Sequence, residues 1–396
     1  LIPLAVTAMA ACTALGILGV LPSKQVYAGL SNSTVVLFGG MFVIGAAMFK
    51  TGLAEAVGLW VVNKAGTKEV PLMGAIMVVT IALSAVSSNT GTVACLMPVI
   101  VGIANAAHIP ASKELMPLAV AANVGGTITM IGTPPNVIVT GALSAAGLPS
   151  FGFFEFALIG VPLSIIVLVY MLTIGRKTIP VKSAGAMDAA AVEAAKKEAG
   201  ASDDNAPKSK TKMWISGLIL LGVVAAMALN LKTVPLQTAA VTGAILCVIT
   251  GCLKEKEAYA GIDWVTIFLF AGMLSVATAM DKTGAGKLIA DTVVGMMGEN
   301  PNPIVLCAVL YLISNVLTQF MSNTASAALL APIGISIAQS IGADPKPVLM
   351  SIGIAASMAF ATPMATPPNT LVLGPGGFNF NDYVKVGVPL CIITFI

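Results

Sequence analysis

The residues with the clearest chemical potential are two copies of one triplet, Ser88-Asn89-Thr90 and Ser322-Asn323-Thr324, each set inside a long apolar run. In lipid, Asn and Thr side chains and any unwound backbone beside them are costly without partners. A second pair follows the first: Thr133-Pro134-Pro135-Asn136 and Thr366-Pro367-Pro368-Asn369. Tandem prolines cannot continue a helix, so each break frees backbone carbonyls. One S-N-T alone reads as packing glue between membrane helices. Two triplets, each followed at nearly constant distance by a Pro-Pro break, read as the two halves of a site.

The chemistry of such a site follows from helix ends. Each triplet ends one half-helix and precedes another, beginning near Gly91 and Ala325. The second arm offers free N–H groups and a positive dipole end, which favour an anion. The first arm ends in free carbonyls, which favour a cation. Ser and Thr hydroxyls and the Asn carbonyl oxygen add hard oxygen ligands. Ser84 and Thr318 stand one turn before the triplets and can reach the same cation, while Gly132 and Ala365 open the breaks and can offer carbonyls. Two similar cation sites would then flank one anion site. The only Arg is Arg176, and no Lys lies near either triplet or either break. Dipoles worth at most about 2 kcal/mol each do not desolvate a dianion, so bound cations are required, and cation–anion coupling follows.

The elements that must position these residues belong to a membrane protein. The 396 residues are 57% apolar and 9% charged, against roughly 25% charged in soluble domains. The net charge of +3 gives no reason to expect nucleic acid. The fold expected is an all-α polytopic membrane protein made of two inverted-topology repeats, each with a re-entrant hairpin and a Pro-Pro-broken helix. Spans are expected at 2–21, 31–50 and 156–175, with an interfacial helix at 53–68. A hairpin of two arms of about 14 residues is expected at 72–106, and a discontinuous crossing at 115–147. The polar segment 176–212 reads as a linker, helical in part around Ala189–Ala199. The pattern then returns with spans at 213–231, 236–252 and 263–280, a mixed stretch at 284–298, an interrupted run at 303–340, a broken run at 347–374 and a last span from 384. The division is thus 1–178 for the first repeat, 179–212 for a cytoplasmic linker and 213–396 for the second.

The repeat holds its register through polar motifs. Ile2-Pro3-Leu4 matches Val234-Pro235-Leu236, Gly40-Met41 matches Gly272-Met273, Lys50-Thr51-Gly52 matches Lys282-Thr283-Gly284, and Pro98 matches Pro332. The span at 213–231 has no counterpart, so an opening helix is expected to be missing ahead of residue 1. Each repeat carries an odd number of crossings, which inverts the second, as in secondary transporters with midplane sites in broken helices. With the linker in the cytoplasm, most Lys and the single Arg fall inside, and Lys24, Lys232, Lys282, Lys287 and Lys346 fall outside.

Other residues carry less. The six Cys are scattered through apolar segments without metal or disulfide spacing, and His108 beside Ile109-Pro110 reads as a loop residue. Glu155, Asp263, Asp281 and Asp291 read as solvated residues at span ends. No H-E-x-x-H, G-x-G-D or basic dyad supports an enzyme, and a closed two-sided hairpin pair argues against a channel.

On Ser88-Asn89-Thr90, Ser322-Asn323-Thr324, Gly132-Thr133-Pro134-Pro135-Asn136 and Ala365-Thr366-Pro367-Pro368-Asn369, the chain resembles the divalent-anion/sodium symporter family of the ion-transporter superfamily. Arsenite-pump relatives tend to carry an acidic residue where this chain has Thr90 and Thr324. The linker is longer and more charged than the family pattern suggests. The resemblance implies a homodimer in the cell (inner) membrane, with a scaffold domain, a mobile transport domain and an elevator motion. It implies sodium-coupled symport of a dicarboxylate of the succinate, malate or fumarate class. Symport of citrate, sulfate or another oxyanion, and sodium-independent exchange, are the alternatives. It implies two sodium sites, one at Ser84, Ser88, Asn89 and the Gly132 carbonyl, the other at Thr318, Asn323 and the Ala365 carbonyl. The small anionic substrate would meet Ser88, Asn89, Thr90, Ser322, Asn323, Thr324, Thr366 and Pro367.

Overall fold

A computed structural model describes residues 3–66, 68–182, 209–229, 234–297 and 302–396. The expected linker helix around Ala189–Ala199 lies outside the described residues. The first half of the chain forms α1 (Leu4–Ile17), α2 (Ser33–Lys50), α3 (Leu53–Ala65), α4 (Glu69–Ser84), α5 (Asn89–Ala106), α6 (Ser112–Gly125), α7 (Pro134–Ala145) and α8 (Ala157–Tyr170). After α9 (Lys210–Ala228) the order returns as α10 (Leu236–Ile249), α11 (Trp264–Thr283), α12 (Ala285–Met297), α13 (Pro303–Thr318), α14 (Asn323–Ser340), α15 (Pro345–Ser357), α16 (Pro367–Leu373) and α17 (Phe380–Phe395). The described residues outside helices are turns and loops.

Local chemistry explains the matched boundaries. In each Lys-Thr-Gly motif the Thr hydroxyl donates to the carbonyl four residues back, Thr51 to Ala47 O and Thr283 to Ala279 O, both at 2.8 Å. The Gly then turns left-handed, at φ 81° for Gly52 and 73° for Gly284. That conformation is open to Gly at no steric cost, and it starts α3 and α12 in a new direction. Ser88 and Ser322 cap α5 and α14 by accepting from the Gly91 and Ala325 amides at 3.3 and 3.2 Å.

The hairpin arms differ from expectation. They are 16 and 18 residues long in the first half and 16 and 18 in the second, not about 14. Apolar runs mark only the stretch that lipid or core demands. The helices extend past them, through Glu69-Val70-Pro71 at the start of α4, where an acidic residue and a proline suit a first turn. Among the described residues, five helices are long and apolar enough to cross a membrane: α2, α5, α9, α11 and the segment Ala157–Thr178.

The helices pack as two groups. α1 lies along α11 and α10 along α2, with α9 against both α10 and α2. The close approaches are exchanged between the halves: a Cβ on Gly40 would touch the Ala240 backbone, and one on Gly272 would touch the Ala8 backbone. Counterpart helices α2 and α11 run antiparallel, since Phe38 meets Phe270 while Ala46 meets Gly261. In the other group α4 packs on α6 and α13 on α15. The second half of each broken crossing then leans on the opposite hairpin, α7 on α14 and α16 on α5. Ion pairs brace the ends: Glu155 with Lys346 at 2.9 Å, Lys182 with Asp382 at 2.5 Å and Lys50 with Glu257 at 3.1 Å. Glu155 is therefore paired across the halves rather than merely solvated.

Candidate functional site

The hairpin tips and the two breaks meet at one cavity of about 580 Å³. Ser88, Asn89, Thr90, Gly132 and Thr133 from the first half line it beside Ser322, Asn323, Thr324, Ala365, Thr366 and Pro367 from the second. Ser84 and Thr318 are fully buried one turn behind the tips. Every residue expected at the site from the sequence is thus in the cavity wall or directly behind it.

Behind each tip, oxygens converge. Ser84 Oγ donates to Ala122 O at 2.7 Å and stands 2.5 Å from Asn89 Oδ1. That end of the Asn89 carboxamide also lies 3.2 Å from Ala122 O and 3.0 Å from Gly132 O, so it faces only acceptors. The second half repeats the pattern. Thr318 Oγ1 donates to Ala356 O at 2.7 Å and lies 2.8 Å from Asn323 Oδ1, which faces Ala356 O and Ala365 O at 3.2 Å each. Two things satisfy such a cluster. Turning the amide over brings its two N–H donors within reach of the three oxygens, or a cation takes the centre with the carboxamide oxygen in place. Amide orientation follows whichever partner is present. The donor set of hydroxyl, carboxamide and backbone carbonyl oxygens suits a hard cation.

The breaks are held open by the last residue of each T-P-P-N. Asn136 Nδ2 donates to Thr129 O at 2.9 Å and Gly126 O at 3.4 Å, and Asn369 Nδ2 to Thr362 O at 2.9 Å and Ala359 O at 2.8 Å. These bonds lash the interrupted backbone to the start of α7 and α16 and leave the Gly132 and Ala365 carbonyls to the cluster. The Asn of each motif is a clamp. The prolines at the first helical positions remove N–H donors there, so the free helix-start amides at the cavity are those of the tips. The Asn89 and Thr90 amides precede the first turn bond of α5, Thr92 N to Ser88 O, and Asn323 and Thr324 stand likewise before Ser326 N to Ser322 O.

Three features were not read from the sequence. The Ala122 and Ala356 carbonyls give no side-chain signal. The opposite cavity wall comes from α2 and the start of α11, with Phe38, Met41, Phe42 and Phe49; only the matched Gly-Met pairs hinted at these helices. Asp263, read as a solvated span end, is half-buried, caps α11 by accepting from the Thr266 amide at 3.1 Å and from its hydroxyl, and lines the cavity. Among the described residues, it is the single carboxylate in that wall. The Lys50–Glu257 ion pair holds the segment between α10 and α11 over the end of α2. Asp281 and Asp291 are exposed, as expected, and so is His108 in its turn.

The cavity lies toward the end of the bundle that carries Lys50, Glu257 and Asp263. Toward the other end the two groups are in contact. Phe270 of α11 fills the space a Cβ on Gly141 of α7 would need, its Cζ lying 2.1 Å from that position.

Comparison with known proteins bears on this architecture. The citrate transporter family (CitMHS) matches residues 1–345. An uncharacterized transporter of Haemophilus influenzae is 30% identical over 96% of this chain and 82% of its own length. The uncharacterized transporter YfbS of Escherichia coli is 24% identical over 95% of this chain and 91% of its own. The sodium-dependent dicarboxylate transporter SdcS of Staphylococcus saprophyticus is 26% identical over the whole chain and 80% of its own length. Among solved structures, the YdaH transporter of Alcanivorax borkumensis superposes with a TM-score of 0.68 at 14% identity, covering 94% of this chain and 85% of that one. The fold, the paired hairpins and breaks and these matches lead to one assignment: the chain is a membrane-embedded secondary transporter, not an enzyme, and belongs to the citrate transporter (CitMHS) family within the ion-transporter group.

Proposed function

We propose that the protein is a sodium-coupled symporter of a small dicarboxylate with two sodium sites. The first is built from Ser84, Ser88, Asn89 and the Gly132 carbonyl, the second from Thr318, Asn323 and the Ala365 carbonyl. The observation that carries the proposal is the matched pair of polar clusters behind the tips, where Ser84 Oγ, Ala122 O and Gly132 O converge on the Asn89 carboxamide and Thr318 Oγ1, Ala356 O and Ala365 O converge on that of Asn323. The anion sits between them against the Thr90 and Thr324 amides and hydroxyls, with Ser88, Ser322, Thr366 and Pro367 around it. With no Lys or Arg in the wall, the two bound cations supply the neutralising charge. The sodium-dependent dicarboxylate relative supports the same ion.

The family description favours citrate as the second reading. Asp263 weighs against it, because a carboxylate in the wall disfavours a third negative charge on the ligand. Elevator motion of the site-bearing group against the α1–α2–α9–α10–α11 group, inverted repeats, a cytoplasmic linker, a homodimer and an inner-membrane location complete the proposal. The exchanged helix contacts and the antiparallel run of α2 and α11 support the inverted repeats.

The test is uptake of succinate, citrate and sulfate into proteoliposomes with sodium or potassium outside. Succinate uptake that requires sodium is expected. Equal succinate flux in potassium would replace symport by exchange, and sulfate-selective flux would replace the dicarboxylate.

A further inference from the structure

The two oxygen clusters match residue for residue, but their supports do not. Gln319 directly follows Thr318. Its Nε2 donates to Asn315 O and Met358 O at 3.0 Å each, its Oε1 accepts from the Ala361 amide at 2.9 Å, and its own carbonyl accepts from Thr362 Oγ1 at 2.5 Å. One turn earlier Asn315 Nδ2 also donates to Met358 O, at 3.0 Å, and to Ala355 O at 3.4 Å. Together they tie the last turn of α13 to residues 355–362, the stretch that supplies Ala356 O and leads to Ala365 O. Both side chains are buried.

The first half lacks this. The counterparts of Asn315 and Gln319 at the offset of 234 are Ile81 and Ala85. Ala85 keeps only the backbone acceptor, to Thr129 Oγ1. Where Asn315 grips Met358, Gly125 instead packs against the Ile81 backbone, and a Cβ there would be 2.6 Å from Ile81 Cα. The stretch bearing the first cluster carries Gly125, Gly126 and Gly132, whereas the second has Met358, Ala359 and Ala365 at the matching places. Glycines widen the backbone freedom that ion binding must remove, and directional bonds to carbonyls remove it beforehand.

We infer that Gln319, with Asn315, is a positioning residue that makes the Asn323 cluster a preformed, tighter cation site and leaves the Asn89 cluster the weaker site that orders as it fills. This rests on the two-site reading above. The Asn323 site then fills first as sodium rises, and occupation of the Asn89 site completes the anion pocket.

The test is sodium titration of the thermal midpoint of the purified full-length protein without substrate, against potassium at equal ionic strength. Asn89→Ala isolates the second site and Asn323→Ala the first. The half-saturating sodium concentration is expected to be about tenfold lower in Asn89→Ala than in Asn323→Ala, the scale on which outer-shell partners tune a bound ion. Gln319→Met keeps the side-chain length and removes the bonds. It is expected to raise half-saturation about tenfold when added to Asn89→Ala and to leave it unchanged when added to Asn323→Ala. Asn315→Leu gives the same asymmetry by a second route if Gln319→Met does not fold. Equal affinities in the two single variants, or equal shifts in both backgrounds, overturn the inference while leaving two sites standing. A wild-type protein that sodium stabilises no more than potassium overturns the two-site reading and the inference with it.

Discussion

Gly132→Ala separates space from conformation at the first cluster. Gly132 does not have a positive φ, so an alanine there meets no backbone strain. It meets atoms instead: its Cβ would lie 2.4 Å from Gly126 O and 3.0 Å from both Ala85 O and Gly126 C. All three are backbone, so no rotamer change relieves the contact. The 126–132 stretch must open by close to an ångström, against the Asn136 bonds to Gly126 O and Thr129 O that hold it. Overpacking of this kind costs about 1–3 kcal/mol. The same movement carries the Gly132 carbonyl away from Asn89, which it approaches to 3.0 Å. Loss of a fixed ligand is expected to weaken sodium binding at this cluster at least about tenfold. Ala365→Gly is the internal control. It removes a methyl group where the second half tolerates one, and is expected to cost about 0.5–1 kcal/mol through backbone entropy alone. The assay is the thermal midpoint and the sodium dependence of succinate uptake, measured on both variants. Wild-type midpoint and wild-type sodium dependence in Gly132→Ala would refute the packing argument and the ligand assignment together.

At the turn between α5 and α6, His108 holds φ 56° where its counterpart Gly342 holds φ 69°. His108→Gly is expected to raise stability by up to about 1 kcal/mol, and Gly342→Ala to lower it by about as much; thermal midpoints in detergent measure both. Burial alone would raise the Glu257 carboxyl, but the Lys254 amide and the Lys50 ammonium outweigh it and hold its pKa below the ordinary value of 4.5. A depressed carboxyl contributes stability above its unfolded pKa and loses it as pH falls through the lowered value. Lys50→Met is therefore expected to cost under about 1 kcal/mol at pH 7 and to flatten the loss of stability between pH 5 and 3, read from midpoints across that range. Gly141→Ala places a methyl 2.1 Å from Phe270 Cζ, pushing α7 off α11. It is expected to slow uptake by destabilising this conformation while leaving half-saturating sodium unchanged, a split that single-variant kinetics and sodium titration resolve.

What could be read from the sequence was whatever violates the rules of an apolar helix. Ser88-Asn89-Thr90 and the Pro-Pro breaks announce themselves because polar groups and missing N–H donors are costly in lipid. Their recurrence gave the element order through α17, and all of them line or back one cavity. Backbone groups make no such announcement. The Ala122 and Ala356 carbonyls complete the two clusters, yet nothing distinguishes either alanine from its neighbours until the helices are placed. The wall opposite is hidden for the opposite reason: Phe38, Met41 and Phe42 are apolar residues in an apolar helix, and only packing decides that α2 faces a cavity along part of its length. Asp263 was misread because a carboxylate at a span end has a sufficient explanation in solvent. Its hydrogen bonds to Thr266 belong to a helix cap, and the same cap carries a negative charge into the wall of the proposed anion cavity. Under the proposed symport, a wall charge of that sign is tolerable only if the cations arrive before or with the anion. In that proposal the feature the sequence concealed makes the same demand as the missing lysines and arginines it displayed, and both assign neutralisation of the anion to the two clusters behind the tips.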